Sequence, residues 1–147
     1  MRLGSEMMLS TAQQTQLQNS FALVYAAKAR IADHCYRLLF AVNPDLQAMF
    51  QGERQTPQEM ITSELALMVK LASSPQVNSQ IKRLAKTHMG YGVKDAHFTQ
   101  MRHALLTAMA EELGDALPAE AHAAWGAAFD LVADAMKTAQ AAAASQA

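Results

Sequence analysis

Residues 84–98 read LAKTHMGYGVKDAHF. Val77, Ile81, Leu84 and His88 recur at three- and four-residue intervals, so they form one apolar helical stripe that ends in an imidazole. Gly90 and Gly92 then stop the helix, because glycine tolerates the positive φ of a sharp exit. A polar ring on an apolar stripe needs a reason. Burying it with neither a hydrogen-bond partner nor a ligand costs about 1–3 kcal/mol.

The chain around this stretch has 147 residues, 51% of them hydrophobic, which suits one domain with one core and excludes a disordered chain. Twelve basic residues face 13 acidic ones, for a net charge of −1, so there is no basic face for nucleic acid. No apolar run is long enough to cross a bilayer, and no membrane association is expected. The opening MRLGSEMMLS is too short and polar for a secretory signal. Cys35 is the single cysteine, so no internal disulfide forms. It lies in an apolar helical pattern, as a buried structural thiol does, and points to a reducing, cytoplasmic location.

The four prolines and the glycines other than Gly126 fall at boundaries between segments rich in Ala, Leu and Met, all good helix formers. Strand-type alternation and hairpin dipeptides are lacking. The fold class expected is all-α, with about six to seven helices. The first helix runs from about Thr11 to Lys28, with Thr11 and Gln14 as a capping box. The second, about Arg30 to Ala41, carries the stripe Ala32, Cys35, Tyr36, Leu39 and Phe40 and breaks at Asn43-Pro44. A turn ending at Phe50 follows. Thr56-Pro57-Gln58-Glu59 starts a helix to about Ala72, with Met60, Ile61, Leu65 and Met68 inward. Ser74-Pro75 starts the helix of His88. Asp95 caps the next, with Phe98, Met101, Leu105, Leu106, Met109 and Leu113 inward and Gly114 at its end. Pro118 opens the last helix, with Trp125, Phe129, Val132 and Met136 inward. Residues 1–9 are expected to be flexible, 10–138 to form the domain, and the alanine-rich 139–147 to fray.

Tyr36 and His88 are the polar residues that stand out within this core. With no His-x-x-x-His and no Cys-x-x-Cys, a zinc site is not expected. A single neutral imidazole does suffice for one axial position of a haem iron, whose porphyrin supplies the four in-plane ligands. A core tyrosine and a phenylalanine after a proline break are each ordinary alone; with His88 they form a more specific set.

Three stretches resemble the globins, in particular single-domain bacterial haemoglobins and the haem domains of flavohaemoglobins. HCYRLLFAVNPDLQAMF resembles their second helix, proline corner and haem-packing phenylalanine; LAKTHMGYGVKDAHF their proximal helix and turn; AHAAWGAAFDLVADAM their final helix. The similarity spans roughly residues 10–137, in the family's order. It implies a globin fold around a haem pocket, with haem b (iron protoporphyrin IX) as cofactor and His88 as the iron ligand. It makes Tyr36 the distal residue whose hydroxyl points at an iron-bound ligand and Phe50 the haem-stacking ring, with Leu84 and Val93 packing on the porphyrin. It also gives the break after His88 its reason: the helix presents its imidazole and must then make way for the porphyrin edge and the next helix.

The distal helix departs from the family pattern. Counting back from Pro75 puts Thr56 at the position near iron and Met60 one turn later. A shift of one residue gives Pro57 and Ile61 and keeps Glu64 out of the core, attractive because a carboxylate facing haem is costly. Thr56 is also a helix cap, and that is the favoured assignment. On the proximal side, Phe98 occupies the place of the relatives' tyrosine, and Gln140 and alanines stand where a glutamate would be sought, so strong electron donation through the imidazole is not expected. The four remaining histidines, His34, His97, His103 and His122, are expected on solvated faces, with His97 as a candidate propionate neighbour.

The function the resemblance implies is reversible dioxygen binding, with nitric oxide and carbon monoxide as further ligands, in a monomer or homodimer. Nitric oxide dioxygenation is the enzymatic alternative. The 147 residues hold no Gly-rich dinucleotide fingerprint, so it would require a separate reductase. Haem-based gas or redox sensing is the other alternative.

Overall fold

The structure is a computed structural model that describes residues 9–49, 56–73, 83 and 94–145. Among these it contains α1 (Thr11–Ala26), α2 (Lys28–Val42), the single turn α3 (Leu46–Met49), α4 (Pro57–Ser73), α5 (Asp95–Leu113), a 3₁₀ turn (Gly114–Ala116) and α6 (Ala119–Ser145). The described residues hold no strand, so the all-α expectation stands. The helix expected over Ser74–His88 lies outside them apart from Arg83.

Local chemistry sets the ends. The Ser10 hydroxyl accepts from the Gln13 N–H at 3.1 Å, and Gln13 Oε1 accepts from the Ser10 N–H at 3.0 Å. The capping box thus sits one residue before the expected Thr11/Gln14 pair, with the same chemistry. At α4 the expected box forms: the Thr56 Oγ1 accepts from Glu59 N–H at 3.1 Å and Glu59 Oε1 from Thr56 N–H at 2.8 Å. Pro57 then occupies the first helical position, where its missing N–H costs nothing. The cap of α5 is Lys94 rather than Asp95; its N–H donates to the His97 Nδ1 at 2.9 Å. Gly114, at φ +52°, ends α5. The last helix continues through the alanine-rich segment expected to fray, as far as Ser145, in keeping with alanine's helix propensity.

The apolar stripes meet in one core. Ile31, Ala32, Cys35, Tyr36 and Leu39 of α2 are buried, and α2 makes the most extensive contact between helices with α5. Helix α4 packs on α1, α2 and α6. The Trp125 indole is fully buried and its Nε1–H donates to the Ser20 Oγ at 2.9 Å, joining α6 to α1. The Ser20 hydroxyl in turn donates to the Gln16 carbonyl at 2.7 Å. Arg102 and Asp130 pair through two hydrogen bonds, at 2.7 and 3.2 Å, between α5 and α6. Among the described residues no helix is long and apolar enough to cross a membrane.

Candidate functional site

The candidate site is built on the faces of α2, α4 and α5. Helix α2 brings Tyr36 to the core, 5% exposed, with its ring centroid 5.7 Å from that of Phe40. One residue earlier, Cys35 is fully buried with its Sγ 3.7 Å from Met101 Sδ on α5. The thiol is the structural one expected; burial pushes its pKa up and Glu64 adds to that. Past the end of α2, the Asn43 amide donates to Gln100 Oε1 at 3.1 Å. Near the middle of α2, the two ring nitrogens of His34 each lie 2.8 Å from a carboxylate oxygen, of Glu111 and Glu112. His34 was expected in solvent; it is a half-buried bridge to α5. The hydrogen bond from His34 and the nearby Arg30 hold the Glu112 carboxyl below its usual range.

Helix α4 supplies the facing wall. Thr56 is exposed and committed to its cap, so it is not available to a pocket. Met60 is half-buried, and Ile61, Leu65 and Met68 are buried. Phe98 of α5 is 7% exposed, with the Lys137 ammonium of α6 5.4 Å from its ring centroid. Tyr36, Met60, Ile61 and Phe98 are therefore placed on inward faces. Phe50, Leu84, His88 and Val93 lie outside the described residues. His97 serves as the cap partner of Lys94, and His122 bonds through Nε2 to the Leu106 carbonyl at 2.8 Å.

Glu64 overturns an expectation. The one-residue shift is attractive because it keeps Glu64 out of the core, yet the Glu64 Oε1 is sealed from solvent with no hydrogen-bond partner among the described residues, although part of the residue's surface is accessible. Burial pushes its carboxyl up to about 7. Its charge acts on both Cys35 and Tyr36, and the Tyr36 phenol is held well above its usual range, first by burial and then by Glu64 and Cys35. The signal was present in the sequence. Met60, Ile61, Glu64, Leu65 and Met68 follow the inward three–four spacing, and the general rule that carboxylates face water overrode it.

The described walls fit a haem. They are apolar apart from one phenol and one carboxyl, and no three His, Cys, Asp or Glu side chains cluster as a metal site among the described residues. A porphyrin asks one axial ligand of the protein, and the remainder of its contact is apolar.

The Globin family model matches residues 33–136, and the chain belongs to the globin family. It is 28% identical to a flavohemoprotein from Xylella fastidiosa over 127 residues, which are 84% of this chain and 32% of that protein. It therefore spans about a third of that relative's length. Leghemoglobin-1 of Lupinus luteus is 25% identical over 137 residues, covering 83% of this chain and 89% of that one. The crystal structure of flavohemoglobin from Malassezia yamatoensis with bound FAD and heme superposes with a TM-score of 0.82 at 20% identity, over 94% of this chain and 38% of that one. The helices described above are those of a globin fold, as expected.

Proposed function

We propose that this chain is a cytoplasmic haem b protein that binds dioxygen reversibly, with His88 on the iron and the Tyr36 hydroxyl donating a hydrogen bond to the bound gas. The observation that carries this is the placement of Tyr36, a phenol 5% exposed on the helix that faces α4, in a chain of the globin family. Haem, when bound, would supply the iron that holds a diatomic gas. The residues do the rest. Phe50, Leu84 and Val93 would pack on the porphyrin, with Met60 and Ile61 on the α4 side and Phe98 on the α5 side. Excluding water strengthens the Tyr36 hydrogen bond, because a polar contact is worth more in a low dielectric. Residues 10–138 form the haem-binding unit.

An absorption spectrum of the purified protein with added haem tests the reading. A strong Soret band, a five-coordinate ferrous form and a stable oxygen adduct are expected; no haem uptake overturns it. In the loaded protein, Tyr36→Phe should raise the oxygen dissociation rate about tenfold, for a lost bond of roughly 1.5 kcal/mol. An unchanged rate removes Tyr36 from the role.

Similarity to a flavohemoprotein favours a second reading on the same residues, nitric oxide dioxygenation. Dioxygen, nitric oxide and one electron give nitrate, the electron coming from a reductase outside these 147 residues. Loss of the oxygenated spectrum on adding nitric oxide, with nitrate formed in equal amount, would establish the chemistry. Steady turnover with a flavin reductase would establish the enzyme.

A further inference from the structure

Glu64 is a half-buried acid with one carboxyl oxygen sealed in the core, where packing offers no use for it. It sits on the inward face of α4 with Oε1 sealed from solvent, no hydrogen-bond partner among the described residues, and its charge directed at Tyr36 and Cys35 on α2. The other helices packed on α4 are α1 and α6. The one buried polar residue they bring is Ser20, already bonded to Gln16 and Trp125. The titratable groups that face Glu64 among the described residues are therefore the Cys35 thiol and the Tyr36 phenol. Neither is a cation, and no charged side chain there offsets a carboxylate. Burial of an unpaired carboxylate is far more costly than burial of the neutral acid.

A proton leaving Glu64 thus places a negative charge near the phenol, on a carboxyl whose Oε1 is sealed from solvent and so weakly screened on that side. We propose that Glu64 is a charge gate for the pocket's ligands. While it carries its proton it tolerates small anions and partly anionic gas ligands beside Tyr36; once the proton leaves, it disfavours them and leaves neutral ligands unaffected. Glu64 acts through space on the ligand that Tyr36 contacts, and is in that sense a positioning residue. The gate rests on the haem reading above and adds to it a specificity for ligand charge that varies with pH.

The test uses the haem-loaded protein, with azide binding to the ferric form and carbon monoxide binding to the ferrous form. Both are followed from about pH 5.5 to about pH 8.5 in the wild type and in Glu64→Gln, which imitates the neutral acid at every pH. Every pH dependence not due to Glu64 is common to the two proteins and cancels. The azide affinity of the wild type should fall by about tenfold more than that of the variant across this range, with carbon monoxide affinities staying parallel. Superimposable azide profiles in haem-loaded proteins overturn the gate alone. A chain that takes up no haem overturns the parent reading and the gate with it.

Infrared difference spectroscopy gives a readout independent of any ligand, and needs only the wild type if the variant does not fold. A carboxylic-acid carbonyl band should be present near pH 6 and fade as the pH passes about 7. Absence of the band at the acid end overturns the gate.

Discussion

Two buried polar groups in this molecule are handled in opposite ways. Between α1 and α6, the Trp125 N–H donates to Ser20 and the Ser20 hydroxyl donates to Gln16, so donors and acceptors close into a chain. Between α4 and α2, the Glu64 Oε1 is equally sealed and closes nothing among the described residues. A satisfied polar group in a core fixes geometry at little net cost; an unsatisfied one costs stability and is kept where it does something else. The first pair belongs to the fold, the second to the site.

The comparison breaks most visibly on the structural side. Trp125→Ala removes a fully buried indole and should cost about 3–5 kcal/mol in chemical denaturation, enough to leave a marginal domain largely unfolded. A loss below about 1 kcal/mol would mean that the α1–α6 packing re-forms without the ring.

The site responds with the opposite sign and with pH. The folded chain holds the Glu64 proton up to about pH 7, whereas the unfolded chain releases it near the ordinary value of 4.5. Between these values the folded state binds more protons than the unfolded one, so stability falls as pH rises and the loss is complete above about 7. Glu64→Gln lacks that loss. It should therefore be more stable than the wild type at pH 8, by on the order of 2–3 kcal/mol, and converge with it below about pH 4.5. A gap that does not vary with pH would show that the carboxyl ionises equally in both states.

The smallest effect sharpens the contrast. Ser20→Ala leaves the Trp125 N–H without its acceptor while keeping the ring, and should cost about 1–2 kcal/mol with no pH dependence. A pH-dependent loss would show that the Ser20–Trp125 bond is coupled to the ionisation of Glu64 across the α4 packing.

Much of this was legible in the sequence because one face of each helix is apolar. Most inward residues of α2, α5 and α6 are those that the three–four spacing selects, with Phe40, Met101 and Leu113 only half-buried, and Thr56-Pro57-Gln58-Glu59 starts α4 by the expected cap. Caps slipped by one residue where neighbours offer the same chemistry, as Ser10/Gln13 does beside Thr11/Gln14. The His34 bridge was not legible, because Glu111 and Glu112 are distant in sequence and only the fold brings them to the ring. Glu64 was misplaced for a different reason. Its spacing was inward, but charge outweighed spacing, and a site is where that rule fails.

Besides the Arg30–Glu112 ion pair, three unlike contacts fasten the α2 region to α5: His34 to the two glutamates, Cys35 to Met101, and Asn43 to Gln100. They are spread along roughly 13 Å of helix axis, at 1.5 Å per residue. For anyone redesigning this protein, that gives the pocket a fixed jaw and an editable one. Substitutions on α2 would disturb a braced beam and move the phenol with it. On α4, Met60, Ile61 and Glu64 form a short palette in which polarity and shape can be changed while Tyr36 stays at its post.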